Sequence, residues 1–166
     1  MKRILLTGMS GTGKSTVIVE LVSRGYKAID LDRDEFSEWV SIDPDSDPLT
    51  PEPGKDWVWR EERVQQLLSM EDTDILFVSG CAENMRLFFP QFDHVILLSA
   101  SPEIITERLV TRTNNSFGKQ PDQLARVLTL QQTVEPLLRK AATHEIDTSA
   151  PLDDVAGKVL RIALEG

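Results

Sequence analysis

Reactive and greasy features are scarce in this sequence, and each scarcity excludes something. Cys81 is the only cysteine, so no disulfide can form within the chain, and the expected compartment is the reducing cytoplasm. Only two histidines are present. No second histidine stands near His94 in sequence and no metal-ligand spacing occurs, so His94, at the start of a strand, reads as structural. No apolar run approaches the ~20 residues of a membrane-spanning helix, which predicts no membrane partner. Basic residues are outnumbered, 18 Lys and Arg against 27 Asp and Glu, a net charge of −9. Nucleic acid is therefore not an expected partner, because phosphate backbones require clustered cations. Met1, Lys2 and Arg3 have the charge of a targeting peptide, but a strand and a glycine-rich loop follow at once, so targeting is not expected. Repeats and linkers are missing too. The 166 residues are expected to form one domain, 1–166, as a monomer or homodimer.

What is present is concentrated at the start. A short apolar strand runs into Gly8, Met9, Ser10, Gly11, Thr12, Gly13, Lys14, Ser15 and Thr16, the G-x-x-x-x-G-K-S/T pattern in the strand-to-helix context that gives it meaning. Glycines let successive backbone N–H groups curl around a phosphate. The loop ends at a helix N-terminus, whose unpaired N–H groups and dipole attract anions. Lys14 supplies a mobile cation, and the Ser15 hydroxyl is placed for magnesium. The expected ligand is Mg-ATP or Mg-GTP, held by Gly8, Ser10, Gly11, Thr12, Gly13, Lys14, Ser15 and Thr16.

The remaining chain alternates. Strands are expected near residues 4–7, 26–31, 74–79, 94–99 and 144–147. Helices are expected over 15–23, 57–70, 101–112, 121–142 (interrupted at Pro136) and 152–164. Residues 42–54, rich in Asp and Pro, read as irregular. Five apolar strands separated by helices imply an α/β fold, a parallel sheet covered on both faces.

Asp30, Asp32 and Asp34 stand at the carboxyl end of the second strand, where open α/β sheets bind ligands. Residues two apart on a strand share a side, so Asp30 and Asp32 can converge beside the phosphate loop, one for magnesium and one to accept a proton from a hydroxyl. Asp34 is the alternative base, or a helix cap. Strand 75–78 ends in Ser79 and Gly80 without a carboxylate, unlike motor ATPases, which leaves magnesium to Ser15 and the aspartates after the second strand. Gly80 is either a site of close substrate approach or a plain turn. Arg108 and Arg112, four apart on one helical face, lead into a polar, glycine-containing segment, a candidate lid over about 112–121. Arg112 would neutralise the transferring phosphoryl group and Arg108 would hold nucleotide. An acceptor pocket is expected within about residues 33–70, with Asp32, Asp34, Trp57, Arg60, Gly80 and Arg86 as candidate substrate contacts. Half-buried core tryptophans are the equal alternative for Trp39, Trp57 and Trp59.

The loop 8–16, the run Gly25, Tyr26, Asp30 and Asp32, the Arg108–Arg112 spacing and the stretch from Ile146 to Pro151 together resemble the P-loop small-molecule kinases related to shikimate kinase, gluconate kinase and the nucleoside monophosphate kinases. The likeness extends to short bacterial AAA-type ATP-binding proteins. The resemblance implies a three-layer P-loop NTPase fold with sheet order 2-3-1-4-5 and a moving lid. It assigns Asp30 to magnesium, Asp32 to the acceptor hydroxyl, and the loop carrying Thr148 and Pro151 to the adenine. Departures limit it. Ser79, Gly80, Cys81 and Ala82 stand where shikimate kinase has a triple glycine, and the Asp-Gly-Phe-Pro-Arg of nucleoside monophosphate kinases is missing. The implied activity is a Mg-ATP-dependent phosphotransferase with Lys14, Asp32 and Arg112 catalytic, acting on a metabolite, nucleoside, nucleotide or antibiotic. The alternative is a nucleotide-binding switch or ATPase working through a protein partner, although the Asn-Lys-x-Asp of guanine switches is missing.

Overall fold

The computed structural model describes residues 1–43, 50–113 and 119–165. Its main sheet comprises β1 (Lys2–Thr7), β2 (Lys27–Asp30), β5 (Ile75–Ser79), β6 (His94–Ser99) and β7 (His144–Asp147), in the order β2-β5-β1-β6-β7, all neighbours parallel. Counted over sheet strands alone this is the expected order 2-3-1-4-5. β1 lies at the centre, with Ile4 opposite Phe77 on one side and His94 on the other.

The two-residue period of β1 divides the core. Ile4 and Leu6 face a cluster with Val17, Ile18 and Leu21 of α1 (Lys14–Ser23) and Val155, Val159 and Ala163 of α6 (Leu152–Glu165). Leu5 faces the opposite cluster, with Val64, Leu67 and Leu68 of α2 (Glu61–Ser69), Met85 and Phe88 of a 3-10 helix (Glu83–Gln91), and Leu138 of α5 (Glu135–Ala141). Both sheet faces are thereby covered, which is why the strands read as continuous apolar runs. A third cluster joins Ile105 and Leu109 of α3 (Pro102–Thr111) to Val127 of α4 (Pro121–Thr133). The helix expected over 121–142 is split at Pro136, which stands in the first turn of α5 where its missing N–H costs nothing.

Three expectations are corrected. Residues 57–59 do not open a helix: they end β4 (Lys55–Trp59), which pairs antiparallel with β3 (Ser37–Ser41) in a separate hairpin, Trp39 opposite Trp57. Tryptophan and valine favour an extended chain, and α2 begins only after Arg60. Asp34 accordingly caps no helix. The chain turns there through hydrogen bonds from the Phe36 and Ser37 N–H groups to the Arg33 carbonyl, and passes into β3. His94 does have a histidine neighbour, because β6 and β7 bring His144 to a ring-centroid distance of 5.3 Å.

Candidate active site

The phosphate loop leaves β1 at the carboxyl edge of the sheet and enters α1 through Gly13, whose φ of +95° only glycine adopts without strain. No side chain caps α1, so its first N–H groups face the loop as an anion cradle. Lys14 Nζ donates to the carbonyls of Gly8 (2.7 Å) and Met9 (3.0 Å), spanning the loop mouth. Arg108 crosses from α3: its guanidinium donates to the Gly11 carbonyl (3.2 Å) and to the Thr148 hydroxyl (2.8 Å) and carbonyl (2.6 Å). The Thr148 hydroxyl donates in turn to the Thr12 carbonyl at 2.7 Å. One arginine thus ties the phosphate loop to the loop after β7. A cleft of about 410 Å³ opens above, lined by Ser10, Gly11, Gly13, Lys14, Ser15, Thr16, Arg108, Thr111, Arg112 and Thr148, with apolar Ala150, Leu152 and Val155 at one end. Burial lowers the proton affinity of both arginines from its ordinary value, opposed at Arg108 by Asp147 and Glu107, yet guanidinium remains charged.

Asp30 and Asp32 form the wall. Asp30 Oδ2 accepts the Ser15 hydroxyl at 2.8 Å, and Oδ1 accepts the Asp32 N–H at 2.9 Å and the Ser79 hydroxyl at 3.3 Å. Ser15 Oγ and Asp30 Oδ2 are hard oxygen donors side by side, the chemistry that suits magnesium. Asp32 Oδ1 accepts Trp57 Nε1 (3.1 Å) and the Cys81 N–H (3.3 Å). Gly80 fits beneath: a Cβ there would lie 3.2 Å from Asp32 Oδ1 and 3.1 Å from Trp59 Nε1. Burial pushes the Asp32 carboxyl up to about 6; Lys14 opposes this, Asp30 adds to it, and the hydrogen bonds from Trp57 and Cys81 oppose it. A carboxylate with that affinity is matched to taking a proton near neutrality. Burial also pushes the Cys81 thiol up to about 11, so it is no thiolate nucleophile.

Beyond this wall lies a second cleft of equal size, about 410 Å³. Gly8, Met9, Ser10, Lys14 and Asp32 form its base, and Trp39, Trp57, Pro51 and Glu52 its hairpin side. Cys81 and α4 residues Gln123, Val127 and Leu130 complete it. Trp39 and Trp57 meet edge to face at 5.0 Å. Ser10, Lys14 and Asp32 border both clefts.

The structure brings together Ser10, Gly11, Gly13, Lys14, Ser15, Thr16, Asp30, Asp32, Arg108, Arg112 and Thr148 around the first cleft, and Asp32 and Trp57 at the second. Other expected contacts lie elsewhere. Gly8 borders the second cleft, not the first. Thr12 is buried, its hydroxyl donating to the Met9 carbonyl at 2.8 Å within the loop. Pro151 lines neither cleft; its carbonyl accepts the Asp154 and Val155 N–H groups at the start of α6. Asp34 is exposed, and its carbonyl accepts Arg60 Nε at 2.9 Å. Arg60 pairs with Glu38 at 2.7 Å and Arg86 with Glu83 at 3.5 Å, both away from the second cleft. In an acidic chain these arginines meet a local carboxylate before they reach the cleft. Of the candidate lid, residues 114–118 lie outside the described residues; Lys119 Nζ donates to the Val110 carbonyl at 3.1 Å. Sequence reading did not select Glu52, Cys81, Gln123, Val127 or Leu130. The spacing 123, 127, 130 is one helical face, a signal for packing but not for what that face would meet.

A family model described as AAA domain matches residues 4–128. Among curated proteins none matches the sequence. Solved structures do match. Shikimate kinase from Acinetobacter baumannii, solved in complex with shikimate, is 22% identical with a TM-score of 0.68, covering 99% of this chain and 94% of that one. Shikimate kinases from Bacteroides thetaiotaomicron (17% identity, TM-score 0.64, 99% of each chain) and Aquifex aeolicus (18%, 0.61, 99% of this chain and 96% of that) are similar throughout. At such identities the likeness establishes the P-loop kinase fold.

Proposed function

The chain belongs to the AAA domain family, and from that premise we propose that it is a Mg-ATP-dependent kinase of a small hydroxyl-bearing molecule. The observation that carries this reading is the pair of equal clefts meeting at Lys14 and Asp32. A hydrolase needs one compartment and a water; two compartments with a cation and a base between them suit transfer from one bound molecule to another.

In this reading the first cleft takes the nucleotide, phosphates on the N–H cradle and base toward Ala150, Leu152 and Val155. Ser15 and Asp30 would hold magnesium, which would supply positive charge beside the phosphates. The second cleft takes the acceptor with its hydroxyl at Asp32. Asp32 Oδ accepts the hydroxyl proton as the new O–P bond forms and the bond from the γ-phosphorus to the β–γ bridging oxygen breaks, with ADP leaving. Lys14 and Arg112 offset the charge that develops on the equatorial oxygens.

Calorimetry with Mg-ATP and Mg-GTP, and an ADP-release screen against hydroxylated metabolites, nucleosides and antibiotics, test it. Nucleotide should bind the parent protein and bind Lys14→Ala more weakly, and turnover by Lys14→Ala should fall about 10²–10³-fold, the usual loss when one stabilising donor is removed. Equal affinity and rate in the two proteins would end the proposal.

A further inference from the structure

The second cleft has an unusual charge balance for a pocket beside a phosphate loop. Among the described residues its lining holds one cation, Lys14, against the carboxylates of Asp32 and Glu52. The stretches 44–49 and 114–118 contain no lysine or arginine in sequence, so neither can add one. Arg126 of α4 donates to the carbonyl and hydroxyl of Thr50 and does not line the cleft. Arg60 and Arg86 are paired elsewhere. Once nucleotide is bound, Lys14 serves its phosphates, and the acceptor then meets carboxylates alone. Asp56, buried in β4 behind the cleft, adds to that negative field, which reaches Cys81.

Glu52 forms no ion pair among the described residues. Trp39 and Trp57, set edge to face, line the same cleft, with Trp39 43% exposed. A partly exposed indole pair and a carboxylate lining one cleft supply the chemistry that holds an organic ammonium, through the ring quadrupole and direct charge pairing. Met9, Val127 and Leu130 supply an apolar floor for a carbon skeleton. A carboxylate or phosphate ester would find no guanidinium to pair with and would be desolvated beside two acids.

We propose that the second cleft selects a hydroxyl-bearing organic cation, its ammonium between Glu52 and the Trp39–Trp57 pair and its hydroxyl at Asp32. The proposal rests on the kinase reading for the role of Asp32, but charge selection is measurable without turnover. Two matched triads serve as probes: glucosamine, glucose and glucuronate; and tyramine, tyrosol and 4-hydroxyphenylacetate. The phenol triad changes the charge at the end of one side chain, and the sugar triad keeps one ring but has its ammonium at C2 and its carboxylate at C6. Calorimetry uses the full chain loaded with magnesium and a non-hydrolysable ATP analogue.

In at least one triad the ammonium member should bind about tenfold or more tighter than the carboxylate, with the neutral member between, and added salt should narrow the gap. Glu52→Gln should remove most of that preference. Trp39→Ala should weaken the ammonium probe about three- to tenfold, and both variants should keep the parental affinity for the analogue, which reports an intact fold. A carboxylate binding as tightly as its amine, no binding by any of the six probes, or a preference untouched by Glu52→Gln would each overturn the proposal. If amines bind with the expected order but Mg-ATP yields no phosphorylated product, the kinase reading fails and the charge selection stands. If neutral or acidic probes are phosphorylated and amines are not, the kinase reading stands and the charge selection fails.

Discussion

The two clefts are equal in volume and share a wall, but they are built differently. The first cleft is largely a product of short-range sequence: Ser10, Gly11 and Gly13–Thr16 of one loop, two aspartates two apart, and two arginines four apart. The second cleft is assembled from distant pieces, the strands β3 and β4 with Pro51 and Glu52, the turn after β5 and one face of α4. Cations, backbone N–H groups and magnesium donors mark the first; indoles and carboxylates mark the second. A phosphate cradle draws on a small set of recurring parts, backbone N–H groups, a helix N-terminus and cations, whereas an acceptor pocket is shaped to its molecule. The difference implies three classes of variant: those in the shared wall, those confined to the nucleotide side and those confined to the acceptor side.

The largest effect is expected in the wall. Asp32→Asn keeps the shape and removes the basic oxygen, so turnover should fall about 10²–10⁴-fold, the range for a positioned acid or base. Steady-state rates together with separate nucleotide and acceptor titrations check this. Both affinities should stay near parental, since the loss is felt only as the proton moves. An unaltered rate would show that the wall divides two pockets without serving either.

A smaller effect should mark the nucleotide side. Arg112→Ala should lower turnover about 10–100-fold with little change in nucleotide affinity or acceptor KM, because its charge matters most as the phosphoryl group transfers. Arg108→Ala should instead weaken nucleotide binding, since Arg108 ties the Gly11 carbonyl to the Thr148 loop. Lysine at 112 should rescue only in part, lacking the planar fork. A raised acceptor KM in Arg112→Ala would breach the separation of the clefts.

Legibility in the sequence follows the same division. The cradle, the Ser15–Asp30 pair and the Arg108 position depend on local spacing and on the rule that parallel sheets bind ligands at their carboxyl edge, whereas the strand order follows from the resemblance to P-loop kinases. The hairpin did not declare itself, because the Asp- and Pro-rich stretch between its strands carries no short turn signal, and Trp57 and Trp59 read as the start of the amphipathic helix that follows. Arg60 and Arg86 were attractive as cations in an acidic chain, but acidity cuts the other way: Glu38 and Glu83 are closer partners than any ligand. Glu52 has no motif around it. Only the fold brings it to Trp39.

The smallest effect concerns stability and has the opposite sign to the rate effect. The folded Asp32 carboxyl keeps its proton to about pH 6, against 3.8 for the ordinary group. Between those values the native state binds more protons than the unfolded chain, so this group's stabilising contribution is fully present below about pH 4 and is lost as pH rises through about 6. The catalytic rate of the parent should rise over the same window, because a base must be ionised to act. The wall is then most useful where it is least stable. Asp32→Asn cannot ionise and should lose that pH dependence. Thermal melts should show the two proteins alike near pH 4 and the variant higher by about 2–6 °C at pH 8, a range kept modest because the carboxylate borders two open clefts and solvent relieves part of its burial. If the gap instead closes as pH rises, Asp32 is stabilised when charged, its affinity is depressed, and the proton acceptor must be sought elsewhere on the acceptor side. If the gap opens as expected while turnover survives the substitution, the carboxylate is buried at a cost but idle, and the chemistry shared by the two clefts falls to Lys14 and Ser10.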